Sequence, residues 1–350
     1  MVSQRSGKYY LQVRLYLNLN EEIMKTNFAA ILIIMIPLFA CGQSGSVRKN
    51  TGTKSDFMVI GYLPSRSVDT TAIPWHRLTH INFSFAIPAK TGGGLAALRN
   101  AEQLQALVRN AHKNNVKVFI SIGGWSVGDG GGDDSRFHRM AETQPERDLF
   151  VTKTMQLVRR FNLVGVDMDW EYPDIENRSA EDYVLLMRQL ADSLHAAKKK
   201  LTAAVVHYGN QGEGTKKEIF EIVDWLNLMT YDDDKGQPIP HSPYSLAEKS
   251  INYWIRKRGL PAEKAVLGLP FYGKPTNKVH RYNDLVKAGA DPYSDTYDSV
   301  YYNGINTIKQ KTQLAIKEKM AGVMIWEISQ DTNDDHSLLK AINVAAGKEK

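Results

Sequence analysis

The 350-residue chain reads as an α/β protein of the TIM type, a (β/α)8 barrel. Three observations predict this. Eight short apolar runs recur along the chain, segments of helical pattern lie between them, and most runs are apolar on both faces. Strands that are buried on both sides in a parallel sheet require that composition, and regular alternation with helices requires a parallel sheet. In order, the strands are expected at 57–62, 79–86, 116–122, 164–169, 201–206, 225–229, 265–270 and 322–328. Helices are expected at 101–113, 146–161, 180–198 and 307–320. A last helix ending at Ala345 has Asn333 or Asp334 as its candidate cap. In such barrels the reactive groups sit where strands end at their C-termini.

The fourth run carries the strongest chemical signal. Phe161-Asn-Leu-Val-Gly-Val-Asp-Met-Asp-Trp-Glu-Tyr-Pro173 is apolar at first, then acidic, then broken by proline. Residues two apart on a strand share a face, so Asp167, Asp169 and Glu171 point the same way, roughly 6–7 Å apart. Clustered like charges oppose one another's ionisation and are costly unless function requires them. Glycosidic cleavage needs a carboxylic acid held protonated near neutral pH, and negative charge or a nucleophile near the anomeric carbon. This run supplies both. Glu171 lies nearest the loop and is best placed to reach a substrate.

Gly165-Val-Asp-Met-Asp-Trp-Glu-Tyr-Pro173 resembles the signature of family 18 glycoside hydrolases, the chitinase family. Ser121-Ile-Gly-Gly-Trp125 is similar to that family's second signature. Met229-Thr-Tyr-Asp232 resembles its sixth-strand motif, and Gly322-Val-Met-Ile-Trp-Glu327 its eighth. Four motifs in the right order are far more specific than one. The resemblance implies hydrolysis of β-1,4 N-acetylglucosaminide bonds in chitin or chito-oligosaccharides, with retention, the substrate's own acetamido group acting as nucleophile. It implies Glu171 as general acid/base, Asp169 as the group that orients the acetamido, Asp167 as its partner, and Tyr231 as donor to the acetamido carbonyl. It implies that Trp326 floors the reacting sugar, with Tyr62, Phe85, Met229, Asp232 and Tyr272 lining the site, and Trp125 and Tyr172 as sugar platforms. No cofactor and no metal is called for. The partner is an N-acetylglucosamine-containing oligosaccharide or polysaccharide, and the protein is expected to act as a monomer.

The chain departs from the family pattern at several places. Val164 stands where an Asp is common, Arg66 where many chitinases have a Trp, and Lys274 where an Arg often follows the seventh-strand Phe-Tyr-Gly. Asp232 is followed by Asp-Asp-Lys-Gly-Gln with no nearby Trp. The reacting subsite looks complete and the outer ones thinned, which favours short or soluble chains. The stretch 274–306 is too short for the full α+β domain that many members insert between strands 7 and 8, so that insertion is expected to be reduced or absent. An endo-β-N-acetylglucosaminidase acting on the N-glycan core is the alternative within enzymes. A sugar-binding lectin on the same barrel is the alternative outside them; family lectins typically lose the acid that Glu171 supplies here.

Formal net charge is +6. Residues 1–40 account for four Lys/Arg and two Glu, so the remainder is only mildly basic. No basic helix or RNA-binding aromatic pattern points to nucleic acid. The single cysteine, Cys41, follows the apolar run 31–40, which is too short for a typical membrane span. Leu38-Phe-Ala-Cys41 resembles a bacterial lipobox. The expected organisation is a leader over 1–40 (with Met24 as a candidate true start), a lipidated Cys41 opening a tether over 41–56, and a catalytic barrel over 57–350. The protein would then be exported to the cell envelope and touch the membrane only through its lipid. One cysteine argues against a disulfide framework. Gly128–Asp134 reads as a rim loop, Asp232-Asp233-Asp234 as a solvated triple, and His80 and His207 as hydrogen-bonded barrel residues. The run Lys198–Lys200 marks a helix C-terminus, where cations are favourable.

Overall fold

The computed structural model describes residues 57–67, 69–128, 134–275 and 278–349. Eight parallel strands close into a barrel: β1 (Met58–Pro64), β2 (His80–Ala86), β3 (Lys117–Gly123), β4 (Gly165–Asp169), β5 (Lys200–Val206), β6 (Trp225–Met229), β7 (Ala265–Pro270) and β8 (Gly322–Trp326). Neighbours in sequence are neighbours in the barrel, and β8 closes on β1 with Met58 opposite Gly322. Helices Ala101–Lys113, Gln144–Phe161, Ser179–Ala196 and Ile305–Lys317 fall on the four predicted stretches.

The two faces of each strand do different work. Outward residues such as Ile81, Phe83, Val118, Ile120, Val166 and Met168 join the apolar layer under the helices. The first of these helices buries Leu104, Leu107, Val108 and Ala111 on one face, the i, i+3, i+4, i+7 spacing of an amphipathic helix. Inward residues are more polar. His80, Asn82, Ser84, Ser121, Asp167, Asp169, Thr202 and Asn227 are all buried there, beside Ile60, Phe119, Trp225 and Met324. The alternation continues past β4. Trp170 turns outward and stacks on Phe137 at 5.2 Å, with Tyr183 edge-on at 5.5 Å, leaving Asp169 and Glu171 on the inner face.

The stretch between β7 and β8 is reduced, as expected, but has structure of its own. Two small antiparallel ribbons pair 272–273 with 280–281 and 296–297 with 300–301, around the short helix Tyr282–Lys287. Strand β8 ends at Trp326, and Ile328–Gln330 forms a 3-10 turn instead of continuing it. The last helix, Leu338–Ala345, is capped by neither Asn333 nor Asp334. Ser337 Oγ accepts from Lys340 N, and Asp331 accepts from Leu338 N and Leu339 N at 2.8 and 3.0 Å. Asp334 is used up within its own turn, accepting from His336 N at 2.9 Å. The leader, Cys41, the tether and most of the loop at 128–134 lie outside the described residues.

Candidate active site

Asp167 lies at the centre of the barrel with no exposed surface. Four neutral side chains donate to it, each from a different strand. The Tyr62 hydroxyl (β1) and Ser121 Oγ (β3) reach Oδ2 at 2.5 and 2.9 Å; Thr202 Oγ1 (β5) and Asn227 Nδ2 (β6) reach Oδ1 at 2.7 and 3.0 Å. Burial pushes the Asp167 carboxyl above its usual range, and the four donors pull back. Charge-assisted bonds of this kind favour the ionised form. Asp169, two residues on, is 3% exposed. Its Oδ1 has no hydrogen-bond partner among the described residues. Burial first, then the charges of Glu171 and Asp167, drive its pKa well above the usual carboxylate range. The two inner acids are thus unequal: burial raises both, but four donors oppose the rise at Asp167, and Asp169 next to it is the better place for a proton.

Glu171 sits just beyond the strand end, buried but at the mouth side of the other two acids. The Tyr172 hydroxyl donates to Glu171 Oε2 at 3.1 Å. Burial, then the Glu171 charge, raises the Tyr172 phenol well above its normal value, so it stays a donor at neutral pH. Tyr231, past the end of β6, is buried, and its hydroxyl lies 3.8 Å from Met324 Sδ. Burial, then Asp169 and Glu171, raises the Tyr231 phenol likewise. Its ring meets Tyr272 edge-on at 6.1 Å. Trp326 ends β8, half-buried. It lies 5.6 Å from the Tyr62 ring and stacks near-parallel on Phe85 at 5.9 Å. Tyr62, Phe85, Tyr172, Met229, Tyr231, Tyr272 and Trp326 therefore form one aromatic-rich cluster around the acids.

The glycine pair after β3 is required by its surroundings. Gly123 and Gly124 have φ of +120° and +91°, a region that L side chains avoid. A Cβ on Gly123 would lie 2.2 Å from Asp169 O, and one on Gly124 would lie 2.7 Å from the Phe85 ring. Gly124 N donates to Asp169 O at 2.8 Å. The turn thus clamps the backbone that carries the acids. Trp125 follows it and is 54% exposed, a rim residue set apart from the inner aromatics.

Asp232 is half exposed at the rim, yet it is paired. Lys274 Nζ reaches Asp232 Oδ1 at 3.1 Å and Asp234 Oδ1 at 2.9 Å, and His241 Nδ1 lies 3.4 Å from Asp232. Burial alone would raise Asp232; His241 and Lys274 outweigh it and lower it. Asp234 is buried, which corrects the reading of the Asp triple as solvated: Lys274 makes the burial tolerable. Tyr208 Oη donates to both oxygens of Asp233 at 2.9 Å. His80 is buried against Phe119 and Trp225, with Thr79 Oγ1 2.8 Å from Nδ1. The donors Ser121, Thr202 and Asn227, together with His241 and Lys274, were not singled out from the sequence as site residues. The parity rule could have found the first three, because each occupies an inward strand position level with Asp167: Ser121 and Thr202 are its direct partners in register.

Several known proteins are similar to this chain. Chitinase A1 of Niallia circulans is 26% identical over 67% of the chain, and Endochitinase 1 of Metarhizium robertsii is 26% identical over 67%. The chain spans 43% and 66% of the lengths of those two relatives. Among solved structures, the chitinase ChiB from the chitin utilization locus of Flavobacterium johnsoniae is 28% identical with a TM-score of 0.72, covering 83% of this chain and 94% of that one. A chitinase from Bacteroides thetaiotaomicron is 27% identical with a TM-score of 0.73, covering 84% and 98%. A chitinase-like agglutinin from Robinia pseudoacacia, 25% identical over 82% of this chain and 99% of that one, has a TM-score of 0.71. The four motifs, the barrel and the placement of the acids at the end of β4 agree with the sequence profile of glycosyl hydrolases family 18, which matches residues 58–331, and the chain belongs to that family.

Proposed function

We propose that the protein hydrolyses β-1,4 N-acetylglucosaminide bonds in chito-oligosaccharides or chitin, by substrate-assisted catalysis with retention. The observation that carries this reading is the unequal environment of the three aligned acids. Glu171, nearest the mouth, protonates the leaving oxygen and then activates water. Asp169, driven by burial and its acidic neighbours to hold a proton more readily than Asp167 does, orients the substrate acetamido and stabilises the charge that develops on it. Asp167, held by its four donors, keeps the shared proton on Asp169. Tyr231 donates to the acetamido carbonyl, and Trp326 stacks under the sugar. No protein carboxylate attacks carbon, so the two-carboxylate scheme does not apply.

The retained Glu171 separates this reading from that of a lectin, a distinction that matters because a similar structure is an agglutinin. The test is time-resolved mass spectrometry of the protein with N-acetylglucosamine tetramer to hexamer, with Glu171→Gln as control. Shorter products from the wild type alone support the proposal. Cleavage of a high-mannose glycopeptide in their place would move the assignment to the N-glycan core, and binding without cleavage of either would leave a lectin. We further propose, from sequence, that Cys41 is lipidated and anchors an exported, monomeric barrel. Metabolic labelling with a fatty-acid probe that Cys41→Ser fails to abolish would refute the anchor.

A further inference from the structure

The charges of the barrel are sorted by end. The segments that bring the chain to the strand N-termini (76–80, 112–117, 159–165, 195–200, 221–225, 256–265, 317–322), with 345–349 beside them, hold fifteen Lys and Arg against five Asp and Glu. The described connections that leave the strand C-termini (65–67, 69–74, 87–100, 124–128, 134, 170–178, 207–217, 230–243, 271–275, 278–304, 327–337) hold seventeen Asp and Glu against eleven Lys and Arg. Three of the five acids at the basic end are already paired: Asp224 with Lys200, Glu318 with Arg256 and Glu349 with Arg77. Lys117, Arg160, Lys198, Lys257, Lys317 and Lys319 are exposed there.

Helix C-termini favour cations within their last turn, which accounts for Arg160 and Lys317. It does not account for Lys117, which opens β3; Lys198 and Lys319 lie two residues past their helix ends, close to the same carbonyls. The chain also enters the barrel at this end. Lys348 Nζ donates to Phe57 O at 2.6 Å.

We propose that this basic end is a docking surface for anionic phospholipid headgroups, and that the acidic catalytic mouth consequently faces away from the membrane. An exposed Lys or Arg near an anionic surface strengthens partitioning about fivefold, within a Debye length of about 8 Å at physiological salt. The mouth carries the opposite sign and is repelled, so one orientation is selected. The proposal rests neither on the lipid at Cys41 nor on the hydrolytic reading.

The test is co-sedimentation of the full chain carrying Cys41→Ser with phosphatidylcholine vesicles, with and without phosphatidylglycerol. Binding to the anionic vesicles should exceed binding to the neutral ones and fall with added salt. Lys117→Glu/Lys257→Glu/Lys317→Glu should lower the anionic-vesicle partition at least about a hundredfold with cleavage of soluble substrate unchanged. The mouth-side triple Lys90→Glu/Lys217→Glu/Lys287→Glu, with the same change in net charge, should lower it far less. Equal binding to both vesicle types, retention by the first triple, or equal loss in both triples would each overturn the proposal.

Discussion

Replacing Thr202 with Val tests how the acids divide their roles. The two side chains are nearly isosteric, so the change removes one donor from Asp167 Oδ1, at 2.7 Å, and leaves Asn227 Nδ2 at 3.0 Å as the remaining donor to that oxygen. A hydrogen bond to a charged group contributes about 1.5–3 kcal/mol. At about 1.36 kcal/mol per unit, its loss moves the Asp167 pKa up by roughly 1–2 units. The direction is fixed, because Thr202 opposes the upward push of burial. The shared proton then moves toward Asp167 and away from Asp169, whose task requires it. The expected result is a tenfold or larger fall in kcat with KM nearly unchanged, and an acid limb of the pH profile displaced upward. The assay is chito-oligosaccharide turnover from pH 4 to 8, with circular dichroism to verify folding. A variant with wild-type kcat and an unmoved acid limb would refute the division of roles, since Asp167 would then not depend on its donors.

Glu171→Gln removes the general acid while keeping its shape, and turnover should fall by about 10²–10⁴ with oligosaccharide binding retained in calorimetry. Lys274→Met strips the cation from Asp232 and buried Asp234; leaving a buried carboxylate unpaired should cost about 3–5 kcal/mol in urea unfolding, and Lys274→Arg should recover most of it. His80 is held neutral by burial, with its pKa near 3 against roughly 6.5 when unfolded. Between those values the unfolded chain binds the proton and the folded one does not. Its contribution is therefore full above about pH 6.5 and is lost as pH falls, up to about 5 kcal/mol; in His80→Leu the gap in unfolding midpoint between pH 7.5 and pH 4.5 should shrink.

The barrel was legible because each strand is a short apolar run bounded by polar turns, a pattern set by burial on both faces. The alignment of Asp167, Asp169 and Glu171 was legible from strand parity alone, and parity also explains why Trp170 packs outward against Phe137. The donors to Asp167 were less legible. Ser121, Thr202 and Asn227 are ordinary residues until closure of the barrel brings three separate strands around one carboxylate. The cap of the last helix was misplaced because Asn333 and Asp334 have the right chemistry at the wrong distance, while Ser337 and Asp331 meet the first turn. Lys274 could be read as a substitution for Arg, but its pairing with Asp232 and Asp234 depends on a loop folding back over β6, which no local pattern encodes.

The most direct test of the central claim is the configuration of the first product. Proton NMR of N-acetylglucosamine hexamer during the first minutes of cleavage separates α from β anomers before mutarotation mixes them. Substrate-assisted catalysis by Glu171 and Asp169 predicts that the β anomer appears first, above its equilibrium share, and that Glu171→Gln produces neither. Initial release of the α anomer would mean that water attacks carbon directly, and would contradict the account.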